Sequence, residues 1–88
     1  MKIIKRNGQE VTFSKSNIVN ALNKANQKVR IDARLTNDEI KEIAKTVEDL
    51  CKKETHIVNV EDIQNFVEKE IMARNNHDVA KEYITYRY

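Results

Sequence analysis

The sequence predicts an α+β fold: a four-helix bundle capped by a small three-stranded sheet, in the order β-β-α-α-β-α-α. Three observations carry that expectation. The stretch "IIKRNGQEVTF", residues 3–13, sets β-type runs on either side of Asn7-Gly8, which is a hairpin signature. Apolar residues then recur at helical spacing in four segments, each preceded by a polar residue able to cap a helix. Between the second and third segments lies "HIVNV", residues 56–60, short and β-branched, which reads as a third strand.

The hairpin admits two registers. A two-residue turn at Asn7-Gly8 pairs Lys5 with Glu10 and Ile4 with Val11, making Lys5–Glu10 an ordinary exposed cross-strand pair. A three-residue loop, Arg6-Asn7-Gly8 with glycine in the left-handed position, pairs Lys5 with Gln9 and Ile3 with Val11. That register gathers Ile3, Lys5, Val11 and Phe13 on one face. Helix 1 is expected to start after Ser14, with a stripe of Ile18, Leu22, Ala25 and Val29. Thr36-Asn-Asp-Glu39 is a capping box for helix 2, whose face carries Ile40, Ile43, Ala44, Val47, Leu50 and Cys51. Asn59 caps helix 3, striped by Ile63, Phe66, Val67 and Ile71. "RNN" at 74–76 breaks the pattern, and Asn76 caps helix 4, with Val79, Ala80, Tyr83, Ile84 and Arg87 on one side.

At 88 residues the chain makes one domain with a modest core. Its 40% hydrophobic and 34% charged composition is that of a globular domain, without proline, repeat or low-complexity linker. Apolar runs of a few residues exclude a membrane-spanning helix, and strand sequence at the N-terminus replaces any signal-peptide core. A single cysteine excludes an internal disulfide and agrees with a cytoplasmic location. A net charge of +2 gives no electrostatic footprint for nucleic acid, so no direct nucleic-acid partner is expected.

Catalytic constellations are missing from the sequence. His56 and His77 are far apart and not at metal-ligand spacing. Cys51 sits on an apolar stripe, where a buried structural thiol is expected rather than a nucleophile. The neighbours Asp38-Glu39, Glu48-Asp49 and Glu61-Asp62 point in different directions on a helix and form no acid/base pair. One glycine cannot build a phosphate-cradling loop. A helix N-terminus needs no such loop to attract an anion, and the hairpin leads straight into one at Ser14-Lys15-Ser16-Asn17. Lys5 and Arg6 on the hairpin are able to close over that point. Tyr83 belongs to the core stripe, while Tyr86 and Tyr88 fall off it, as packing residues or as a wall for a planar base.

Three stretches in this order, "KRNGQEVTFSKSNI", "VNVEDIQNFVEKEIM" and "DVAKEYITYR", resemble the ATP-cone. That family is the nucleotide-binding regulatory domain of many ribonucleotide reductases and of a related transcriptional repressor. The resemblance covers nearly the whole chain, so residues 1–88 are expected to be one such domain, a fragment of a longer chain. It implies ATP or dATP as allosteric effector, with Mg2+ accompanying the triphosphate. It also implies the three-residue hairpin loop, with Ile3 and Lys5 facing inward. By position, the site would comprise Ile3, Lys5, Arg6 and Val11 from the hairpin, then Ser14, Lys15, Asn17 and Ile18 at the start of helix 1. Gln64 on helix 3 and Ile84, Arg87 and Tyr88 at the end of helix 4 would complete it. Cations would hold the phosphates, and Ile3, Ile18 and Ile84 would pack on adenine. The family commonly has lysine where this chain has Asn17, and Lys15 stands in from the preceding turn.

The function implied is an effector-binding regulator, not an enzyme, with adenine nucleotides, the rest of a reductase chain and its oligomer as partners. The absence of a zinc ribbon ahead of the hairpin favours a reductase over the repressor. The ending "YRY" in mid-helix suits a domain excised from a reductase, and the opening, with the hairpin directly after Met1, resembles the anaerobic, triphosphate-reducing type. The alternatives are a cone serving a transcriptional regulator and a nucleotide-independent helical interaction module.

Overall fold

The computed structural model describes residues 1–87, without the side chain of Arg87. Two strands, β1 (Lys2–Ile4) and β2 (Glu10–Thr12), are followed by helices α1 (Lys15–Gln27) and α2 (Asn37–Lys52). Then come β3 (Val58–Asn59), α3 (Val60–Ala73) and α4 (His77–Arg87). The expected order and class are both observed. One element was not anticipated, a short 3-10 turn over Ile31–Ala33 between α1 and α2.

The hairpin adopts the three-residue loop. Ile3 faces Val11 and Ile4 faces Glu10. The Lys5 N–H donates to the Gln9 carbonyl at 2.9 Å, and the Gly8 N–H donates to the Lys5 carbonyl at 2.9 Å. Gly8 has φ +84, the left-handed conformation that the loop requires and that glycine adopts without steric cost. A Cβ there would meet nothing within 4 Å, so the cost of a substitution is backbone strain alone. Gly8→Ala is accordingly expected to destabilise the fold by about 1–2 kcal/mol, lowering Tm by roughly 4–8 °C per kcal/mol in a domain of this size. Gly8→Asn is expected to lose less, because asparagine tolerates the left-handed region. Equal Tm values for all three chains in a thermal melt would remove this role.

β1 is the central strand of the sheet, in the order β2-β1-β3. It pairs antiparallel with β2 and parallel with β3, through Ile3–Val58 and Ile4–Asn59. A parallel partner needs a long crossover. Here α1 and α2 supply it, so the hairpin and the start of α3 end up side by side although they are far apart in sequence. In the bundle, α1 packs on α2 and α4, and α3 completes the ring against both. Leu22, Ile40, Ile43, Val47, Val67 and Val79 lie at its centre, nearly inaccessible to solvent.

The caps follow the sequence with one exception. Thr36 Oγ1 accepts from the Glu39 N–H at 3.1 Å while Glu39 Oε1 accepts from the Thr36 N–H at 2.9 Å. Asn59 and Asp62 repeat this exchange at the start of α3. Asn76 Oδ1 accepts from the Val79 N–H at 2.9 Å, and its amide also donates to the Ala33 carbonyl at 2.9 Å, tying α4 to the 3-10 turn. Ser14 occupies the N-cap of α1 but its side chain does not cap; its Oγ lies 2.9 Å from Ser16 Oγ instead. The α1–α2 connection is held by Asn26, which bonds both the N–H and the carbonyl of Leu35, at 3.0 and 2.9 Å. Leu50 is half-buried rather than fully in the core.

Candidate functional site

A cleft of about 180 Å³ opens between the sheet and one end of the bundle. Its roof is Ile3 of β1 and Phe13, which follows β2. The first two turns of α1 give Ser14, Asn17, Ile18 and Ala21. Those positions, at i, i+3, i+4 and i+7, form one helical face. The first turns of α3 add Val60, Ile63 and Gln64, and α4 adds Tyr83 and Tyr86. The walls are mostly apolar, with amide and hydroxyl groups only at Ser14, Asn17, Gln64 and the tyrosines. Such a lining suits a flat ligand with a few directional polar atoms.

The hairpin loop stands at the mouth. Arg6 crosses to the start of α3, where its Nη2 donates to Gln64 Oε1 at 3.4 Å and its Nε lies 3.6 Å from Glu61 Oε1. Lys5 is exposed, because β1 ends at Ile4 and the chain runs off the bundle. Lys5 and Arg6 share a shallow recess with Ile4, Asn59, Val60 and Glu61, next to the cleft rather than inside it. The register that turns Ile3 into the core is therefore observed, but Lys5 is not buried beside it.

The structure thus brings Ile3, Ser14, Asn17, Ile18 and Gln64 to one cleft and puts Lys5 and Arg6 in the recess beside it. Lys15 goes elsewhere. It lies one position, about 100° of helix, from Ser14, and its ammonium is 3.9 Å from Glu48 on α2. Ile84 is likewise one position from Tyr83; it is 40% exposed and does not line the cleft. Val11 is half-buried opposite Ile3 on β2. Tyr88 lies outside the described residues, as does the side chain of Arg87.

Phe13, Ala21, Val60, Ile63, Tyr83 and Tyr86 were not among the expected site residues. Ala21 was recoverable as the i+7 neighbour of Ser14, and Val60 as the i−4 neighbour of Gln64. Tyr86 had the signal of an aromatic off the core stripe. It is 48% exposed, and Lys24 of α1 covers it, 5.6 Å from the ring centre, with Nζ 3.4 Å from its hydroxyl.

Displaced pKa values fall on α2. Hydrogen bonding between Lys45 and Asp49, at 2.9 Å, raises the first and lowers the second. Burial, with Glu54 and Asp62 nearby, pushes the Cys51 thiol up; it is 3% exposed, as expected of a structural cysteine. Among the described residues there is no cluster of three His, Cys, Asp or Glu side chains able to hold a metal ion, and no helix long and apolar enough to cross a membrane.

The structure sets an apolar slot beneath a hairpin that carries Lys5 and Arg6 at its tip, the shape of a small ligand-binding module. The ATP cone domain matches residues 1–88, and the chain belongs to that family. The family is regulatory rather than catalytic. Curated relatives are ribonucleoside-diphosphate reductase alpha subunits from three chlamydial species. The Chlamydia trachomatis protein is 28% identical over 99% of this chain, and that of Chlamydia muridarum 30% over 99%. The Chlamydia pneumoniae protein is 36% identical over 97%. The chain spans 9% of the length of each of these relatives. They carry the name of the diphosphate reductase, whereas the sequence reading leaned towards the anaerobic triphosphate enzyme.

Proposed function

We propose that this ATP-cone is an adenine-nucleotide sensor that regulates a cytoplasmic ribonucleotide reductase and so the supply of deoxyribonucleotides for DNA replication. The observation that supports it most is the juxtaposition of an apolar slot with Arg6, which leans on Gln64 at the slot's edge. In this reading adenine lies against Ile3 and Ile18. The Asn17 and Gln64 amides, each with a donor and an acceptor, face its polar edge. The phosphates, with their Mg2+, leave towards the N-terminus of α1 and the cations Lys5 and Arg6. Arg87 and Tyr88 enter this reading through the family resemblance alone. Titration calorimetry with ATP tests it, together with amide shifts. Binding without phosphate release, with shifts concentrated in residues 3–18 and 83–86, is the expected result. Absence of binding would leave a nucleotide-independent helical interaction module.

Both ATP and dATP are effectors in this proposal. They differ by one 2′-hydroxyl, and one hydrogen bond is worth about 0.5–1.5 kcal/mol. That is too little to exclude either nucleotide but enough to bias a poised equilibrium. The two complexes therefore have similar affinity and differ in the surface they present. dATP favours a self-associated, inhibited reductase, and ATP a freer, active one. Light scattering and activity assays on the full-length reductase check this: identical mass and activity with both nucleotides would mean that the cone does not switch the enzyme.

A further inference from the structure

Arg6, the hairpin cation that reaches the edge of the cleft, is already engaged by an acid. Arg6 Nε lies 3.6 Å from Glu61 Oε1, and its Nη2 donates to Gln64 Oε1 at 3.4 Å. Both charged side chains are largely in water, 51% exposed for Arg6 and 61% for Glu61. Glu61 has no part in the capping of α3, which Asn59 and Asp62 complete between themselves. It lines instead the recess that Lys5 and Arg6 share, with its carboxylate on the Arg6 guanidinium. An anion placed on those cations meets a negative charge only a few ångströms away. It must either displace Glu61 from Arg6 or bind beside it against like-charge repulsion.

We propose that Glu61 is an affinity-setting residue, a built-in competitor for the phosphates that ties Arg6 to α3 when no anion is present. This rests on the nucleotide reading above and adds the residue that opposes binding. Glu61 then acts on the charged end of the ligand alone. Adenosine, which carries no phosphate, is blind to it. The tie also gives the hairpin loop two alternative partners, the first turn of α3 or the nucleotide.

Glu61→Gln keeps the side-chain length and removes the charge. Calorimetry on the whole chain, with ATP and adenosine as probes, is the test, and Asp38→Asn at the far end of α2 controls for the change in net charge. The energy of an exposed ion pair, converted to affinity, predicts that Glu61→Gln binds ATP about two- to fivefold more tightly. Adenosine affinity should stay the same, and Asp38→Asn should leave ATP binding nearly unchanged. ATP affinity that is unaltered or weaker in Glu61→Gln, or a gain matched by Asp38→Asn, overturns the proposal while leaving the nucleotide site in place. A wild-type chain that binds no ATP overturns the nucleotide reading and this proposal with it.

Discussion

The Arg6→Ala chain is expected to bind ATP about ten- to hundredfold more weakly than the wild type while binding adenosine almost equally well. The size follows from the loss of a charge-assisted contact, about 1.5–3 kcal/mol, converted to affinity. Two features of the structure shape the result. Arg6 is half-exposed and its partners Glu61 and Gln64 are on the surface, so its removal should change folding stability by no more than about 1 kcal/mol. Its removal also leaves the Glu61 carboxylate unpaired beside the phosphates, which adds repulsion to the lost attraction. Arg6→Lys should recover part of the affinity, since it restores charge but not the forked geometry. Calorimetry with ATP and with adenosine separates these contributions. Equal ATP affinity in Arg6→Ala would place the phosphates elsewhere.

Leu22→Ala is expected to destabilise the fold by about 2–5 kcal/mol, the range for emptying a well-packed leucine site. Leu22 is fully buried on α1, the helix that packs on both α2 and α4. A domain of 88 residues has a total stability of about 4–13 kcal/mol, so this one truncation consumes a large share of it. Urea denaturation should show the midpoint falling with an unchanged slope. The same helix carries Asn17 and Ile18 into the cleft, which couples the experiment to the proposed function. Nucleotide at a hundred times its dissociation constant should return about 2.7 kcal/mol of stability to the variant. A loss below about 1 kcal/mol would mean that the bundle repacks around the cavity.

The caps of α2, α3 and α4 were legible because each is local, spanning three residues: reciprocal between Thr36 and Glu39 and between Asn59 and Asp62, and a single bond from the Val79 N–H to Asn76. The buried stripes were legible because helical spacing puts their members on one face. Ser14 shows the limit of that logic. Its residue type and position suit an N-cap, yet its hydroxyl engages Ser16 instead. The turn over Ile31–Ala33 was not legible, since one of its anchors is a distant side chain: Asn76 donates to the Ala33 carbonyl, while the neighbouring Arg34 donates back to the Val29 carbonyl at 2.8 Å.

The sequence by itself determined the class of the fold, the order of its elements, the helix starts and most of the core. These rest on interactions between residues a few positions apart. The hairpin pattern narrowed the register to two choices and the family resemblance favoured the three-residue loop; in the structure that register sets Ile3 beside Val58 of β3 and in the core. The site depended on tertiary structure still more. Ile3, Asn17, Gln64 and Tyr86 converge because β1 takes β3 as a parallel partner and α4 returns against α1. Whether a side chain at a helix start faces that cleft turns on a rotation of about 100° per residue. That rotation admits Ser14 and Tyr83 to the cleft and sends Lys15 to Glu48 and Ile84 to solvent. A linear motif carries no record of that angle until the helices are packed.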